Sequence, residues 1–180
     1  MRKILMTAVV CLVFVAAAWP AAAAGTFYLH DHSDYWWYVL SDVPFSAVVP
    51  ATAQTYIERN VFGMNILEIL MDNGSVSIEI ASLKNSTIEA VRNSLEERFK
   101  PAVKDISVRS NRMITTSNNL QCHFYHYEAT GNHGKKVMLR SVIFERNGNV
   151  VSLSLFLDAD KYVGNVQQYW LRLVNDSEWN

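Results

Sequence analysis

Two stretches of the chain alternate apolar and polar side chains on either side of an Asn-Gly pair, the pattern of a β-hairpin closed by a type I′ turn. Around Asn73-Gly74, pairing Asp72 with Ser75 sets Met71 against Val76, Ile69 against Ile78 and Leu67 against Ile80. Glu68, Asp72, Ser77 and Glu79 then share the opposite face, so one side of the ribbon is apolar and the other mostly polar. The same count around Asn147-Gly148 sets Arg146 against Asn149, Phe144 against Val151, Val142 against Leu153 and Met138 against Leu157. Arg140 falls in this apolar row opposite Leu155. An unpaired buried guanidinium is costly, so Arg140 must find a partner or snorkel to water, and it is a candidate binding residue.

Helical spacing replaces alternation in two places. Ser86-Thr87-Ile88-Glu89 reads as a capping box, followed by Ile88, Val91, Leu95 and Phe99 on one face until Pro101 ends the run. Near the C-terminus, Asp160 is placed to cap a helix whose Tyr162, Val166, Tyr169, Trp170, Leu173 and Val174 form a continuous apolar stripe. That stripe must be covered, and the apolar faces of the hairpins are the available partner. Further strands are expected over Phe45–Val49, Thr55–Arg59, Ile106–Ile114 and Leu120–Thr130, with Ser117-Asn118-Asn119 as a turn. Consecutive strands with short connections imply an α+β fold, a mainly antiparallel sheet with flanking helices.

The first residues change the picture of where this domain works. Arg2 and Lys3 precede an apolar run from Ile4 to Ala18, and Ala22-Ala23-Ala24 supplies small residues for cleavage. The run is too short to span a ~30 Å hydrocarbon core, so residues 1–24 read as a signal peptide cleaved near Ala24. The expectation is an exported protein, periplasmic or secreted, with no transmembrane segment in the mature chain. Residues 25–44 then form an aromatic-rich N-terminal segment and 45–180 a single α+β domain. Without Arg2 and Lys3, 14 basic side chains face 17 acidic ones, which gives no electrostatic case for nucleic acid. Half of the residues are hydrophobic, enough for a real core without disulfides. Cys11 lies inside the export signal, and Cys122, the one mature cysteine, sits in an apolar strand-like run as a small buried hydrophobe.

Candidate chemistry is sparse. His30 and His32 stand with Asp31 and Asp34 in His30-Asp31-His32-Ser33-Asp34, and imidazole with carboxylate suits a divalent transition metal. His-x-His in an extended segment puts both rings on one side, yet a third ligand must come from elsewhere, and a solvated segment is the plainer reading. No cofactor is expected. Strand alternation sends Cys122 and His126 to one face and His123 to the other, so the three cannot converge. Neither a Gly-x-Ser-x-Gly elbow nor a His-Glu-x-x-His helix is present, and the reading is that the protein is not an enzyme. Tyr35-Trp36-Trp37-Tyr38, following Phe27 and Tyr28, carries more weight. Adjacent Trp36 and Trp37 point to opposite faces of a strand, so unless both faces are covered, one presents an aromatic contact site.

The Pro-bounded Phe45-Ser46-Ala47-Val48-Val49-Pro50 start, the hairpin before a capped helix, the strands around Leu120–Glu128 and Val137–Leu157, and the terminal amphipathic helix together resemble the PsbP-like fold. That family takes its name from an extrinsic protein of the photosystem II oxygen-evolving complex. The resemblance implies an αβα sandwich and a non-catalytic binding or assembly role. No functional residue is carried over by it, because no motif matches residue by residue. The expectation for function is an exported binding or assembly protein whose partner is a protein of the cell envelope, with Tyr35, Trp36, Trp37 and Tyr38 in the contact. Two alternatives follow from the residues: a metal-dependent or cysteine-dependent enzyme, and a carrier holding a small apolar ligand between sheet and helix.

Overall fold

A computed structural model describes residues 24–61 and 63–180; the export signal read at the N-terminus lies, apart from Ala24, outside the described residues. Among the described residues, eleven strands fall into two sheets. β1 (Gly25–Leu29), β2 (Tyr35–Leu40), β3 (Phe45–Pro50) and the short β11 (Glu178–Trp179) make a four-stranded sheet in that order. The other seven form one larger sheet: β4 (Thr55–Val61), β5 (Met64–Met71), β6 (Val76–Leu83), β7 (Val103–Thr115), β8 (Gln121–Gly131), β9 (Lys136–Arg146) and β10 (Asn149–Asp158). Its spatial order is β4-β5-β6-β10-β9-β8-β7, and all of its pairings are antiparallel. Helices α1 (Ile88–Phe99) and α2 (Gly164–Asp176) complete the fold.

Both hairpin registers follow the alternation. Leu67 faces Ile80, Ile69 faces Ile78 and Met71 faces Val76 in the first. Phe144 faces Val151, Val142 faces Leu153, Arg140 faces Leu155 and Met138 faces Leu157 in the second. Asn147 and Gly148 both have positive φ, as a type I′ turn requires. The first turn is wider than two residues: the ladder stops at Met71 and Val76, and Asp72, Asn73 and Gly74 are all left-handed, closed by the Ser75 amide donating to the Asp72 carbonyl at 3.1 Å.

The large sheet is buried on both sides. One face carries Ile78, Ile80, Val142, Phe144, Val151, Leu153 and Leu155, all fully buried, against the small sheet and α2, which contributes Trp170, Leu173 and Val174. The opposite face carries Tyr125, Tyr127, Leu139, Ile143 and Val150 against Val91 and Leu95 of α1. The expected α+β class with a mainly antiparallel sheet is what the structure shows, although the fold is dominated by its sheets and only loosely described as flanked by helices. Residues 25–50 do not extend the main sheet but build a second one, which shares a layer with α2. The proportion of helix is small, and only α1 covers its side as a helix alone.

Both helix starts differ from expectation. Thr87, not Ser86, is the N-cap, its side chain accepting from the Ala90 amide at 3.2 Å. Glu89 then lies one residue too early to complete a capping box. Asp160 does not cap α2, because Ala159–Lys161 form a separate 3-10 turn and the helix begins after Val163.

Candidate functional site

Alternation along β2 divides the aromatic run as its spacing requires. Trp36 and Tyr38 face inward: Tyr38 is fully buried and Trp36 packs partly buried on the main core. The Tyr38 hydroxyl donates to Glu58 Oε1 at 2.8 Å, tying the small sheet to β4. Burial, and then this hydrogen bond, hold the phenol far above its ordinary value. Tyr35 and Trp37 lie on the outer face, half-buried, with the His30 ring 5.2 Å from Trp37 and 5.9 Å from Tyr35. Tyr28, opposite Trp37 on β1, is 55% exposed, and Leu29 at the end of that strand is 80% exposed.

Tyr35 opens onto a cleft of about 550 Å3 between the β1–β2 turn and α2, lined by His32, Asp34, Ser117, Gln168, Arg172 and Asp176 among others. Tyr35 meets the Tyr169 ring edge-on at 5.9 Å, the Arg172 guanidinium stands 5.8 Å from its centroid, and His32 sits 5.6 Å away. Burial raises the Tyr35 phenol and the Arg172 charge opposes that rise. Arg172 is itself paired with Asp176 one turn along α2 at 2.8 Å. The cleft therefore offers aromatic faces beside hydrogen-bonding groups of both signs, a surface suited to recognition. Its α2 side was not foreseen. The signal in the sequence was the Arg172/Asp176 spacing on the polar side of the terminal stripe.

His30 and His32 are near neighbours in the β1–β2 turn, but their first obligations are local. His30 Nδ1 accepts the His32 amide at 2.9 Å, and His32 Nδ1 lies 3.7 Å from Asp34 Oδ2. Among the described residues, no three His, Cys, Asp or Glu side chains converge to hold a metal ion. Cys122 is buried and unpaired, and burial pushes its thiol up to about 11, away from the thiolate a nucleophile needs. The hollow between α1 and the sheet, walled by Phe99, Leu139 and Phe156, measures about 20 Å3, the room of a single water.

Arg140 has a partner of the non-ionic kind. Its guanidinium lies over the Tyr162 ring, 4.0 Å from the centroid, a cation–π contact that offsets part of the cost of holding a cation against an apolar sheet.

No family model matches the chain, and no curated protein matches it by sequence. Its fold is similar to that of cyanobacterial PsbP (CyanoP) from Synechocystis sp. PCC 6803, with a TM-score of 0.52 over 91% of this chain and 97% of that one. The two share 9% identity, so the likeness is one of fold. A Bacteroides thetaiotaomicron VPI-5482 structure aligns over 87% of this chain and 49% of its own at 12% identity and a TM-score of 0.49. A Pseudomonas aeruginosa protein of unknown function aligns over 83% and 96% at 18% identity and a TM-score of 0.42. Among the described residues no helix is long and apolar enough to cross a membrane.

Proposed function

We propose that the chain is an exported, non-catalytic binding or assembly protein that contacts a protein of the cell envelope through the outer face of β2 and the adjoining cleft. The observation that carries this reading is the split of the aromatic run: Trp36 and Tyr38 are committed to the core, whereas Tyr35 and Trp37 are withheld from it beside the partly polar cleft. A buried aromatic has a packing reason to be there. One on the outer face of a small sheet, next to exposed Tyr28, has a reason only if something covers it.

The test compares Trp36→Ala with Trp37→Ala. Trp36→Ala should lose about 3 kcal/mol of stability, in the range for truncating a core aromatic. Trp37→Ala should stay within about 1 kcal/mol of the parent and lose capture of an envelope partner in cross-linking of whole cells. Equal capture by Trp37→Ala and the parent, or unfolding of both variants, would remove the proposal. Metal analysis of untagged protein, with His30 and His32 changed to Ala, addresses the metal-dependent alternative: stoichiometric zinc or copper lost in the variant would favour it.

A further inference from the structure

The face of the large sheet that receives α2 carries an anomaly in one cross-strand row. Ser110 on β7 faces His126 on β8, and His126 faces Arg140 on β9. Directly opposed residues of an antiparallel pair share a face with Cβ atoms roughly 5 Å apart, so the three polar side chains stand in line. All three are half-buried. Elsewhere on this face buried polar groups have been paired, as between Tyr38 and Glu58. Here they have not. His126 Nε2 and Arg140 Nε are buried with no hydrogen-bond partner, and among the described residues Arg140 has no carboxylate.

The surroundings are cationic rather than neutral. Arg112, on the same face one row along, stacks 6.0 Å from Phe124, which neighbours His126 by alternation. Glu128 could have served as counter-charge, but Arg109 holds it at 2.9 Å; Asp158, at the end of β10, is held by Lys135 at 3.1 Å. Tyr162 lies over Arg140 as a wall. A guanidinium without a carboxylate, in line with an imidazole and a hydroxyl that can each donate, is complementary to an oxyanion, which accepts from all three and supplies the missing charge.

We propose that the Ser110–His126–Arg140 row is a binding site for a small molecule bearing a carboxylate or phosphate group, with Arg140 as its principal donor and Tyr162 as its side wall. The site is independent of the β2 cleft: it lies on the other layer, and its success or failure leaves the partner reading untouched. Burial and the Arg140 charge hold the His126 imidazole below its ordinary value, opposed by Glu128 and helped by Arg109, so near neutral pH it is an uncharged group that can donate or accept.

The experiment follows the His126 ring signals by NMR while inorganic phosphate or acetate is added to the protein at fixed pH and ionic strength, with chloride as the reference salt. Saturable movement with phosphate or acetate, absent with chloride, is expected; the two arms separate the phosphate from the carboxylate. Arg140→Met should weaken the response at least tenfold, Ser110→Ala on the edge strand two- to fivefold, and Arg112→Gln less than twofold. If Arg140→Met fails to fold, Ser110→Ala still decides. A linear, unsaturable response in the parent, or an unchanged one in both Arg140→Met and Ser110→Ala, would overturn the assignment.

Discussion

A single titrating ring shows how far an individual side chain is governed by its row. His126 is held below the ordinary imidazole value of about 6.5, chiefly by burial and then by Arg140. The unfolded chain therefore takes up a proton more readily than the folded one. Above about pH 6.5 the neutral ring contributes its full share of stability, and that share is lost as pH falls from there toward the folded midpoint. Arg140→Met removes the second cause, so the His126 midpoint should rise and this acid-side loss should shrink. A side-chain NMR titration of parent and variant checks both the order and the sign; a midpoint unmoved by the substitution would mean that burial alone sets it. The same row explains why Arg140 was legible from the register count while its company was not. Its position opposite Leu155 follows from the Asn147-Gly148 turn, whereas its place beside His126 depends on the longer loop between Gly131 and Lys136, for which parity alone fixes no register; the two register shifts in β7, at Lys104/Ser107 and Val108/Ser110, lie beyond the Ser110–His126 pair.

Elements as units were read most reliably where a short turn and a period-2 pattern agreed. The hairpins around Asn73-Gly74 and Asn147-Gly148 keep every predicted apolar pair because slipping either strand by one residue would turn its whole apolar set to the other face. Helix ends were harder, since Ser86 and Thr87 are both competent caps and only the backbone chooses. Thr87→Ala should cost about 1 kcal/mol in a denaturant titration, whereas Ser86→Ala should change little. The reverse ranking would put the cap back at Ser86. Around the candidate site, alternation told which aromatics share a face but not what stands opposite, and the α2 side of the cleft, with Arg172 and Asp176, comes from more than a hundred residues away along the chain.

At the scale of the molecule, the division of the strands into two sheets was the part the pattern could not supply. Parity assigns a residue to a face; it does not say which strands share a ladder. The sheets are joined by packing and by a few polar ties, among them Tyr38 to Glu58 and the Ser82 hydroxyl donating to Asp42 at 2.7 Å. Tyr38→Phe leaves the packing and removes the first tie. It should cost on the order of 1–3 kcal/mol, the range for a hydrogen bond to a charged group, while unfolding remains one transition by both fluorescence and circular dichroism. Two separated transitions would mean that the small sheet melts on its own.

The order of strands in the large sheet has a further consequence for assembly. β4, β5 and β6 form one local meander and β7 to β10 another, and they meet along a single seam where Leu83 lies beside Val150 and Val76 beside Leu157. Each half can zip from its own tight turns, yet until the seam closes β6 and β10 are both unpaired edges, each with Val, Ile or Leu at about half of its positions and open to pairing with another strand. Closing that seam spans a long stretch of sequence and is intrinsically slow. During synthesis the first half must therefore wait, apolar edge exposed, for β10 to emerge.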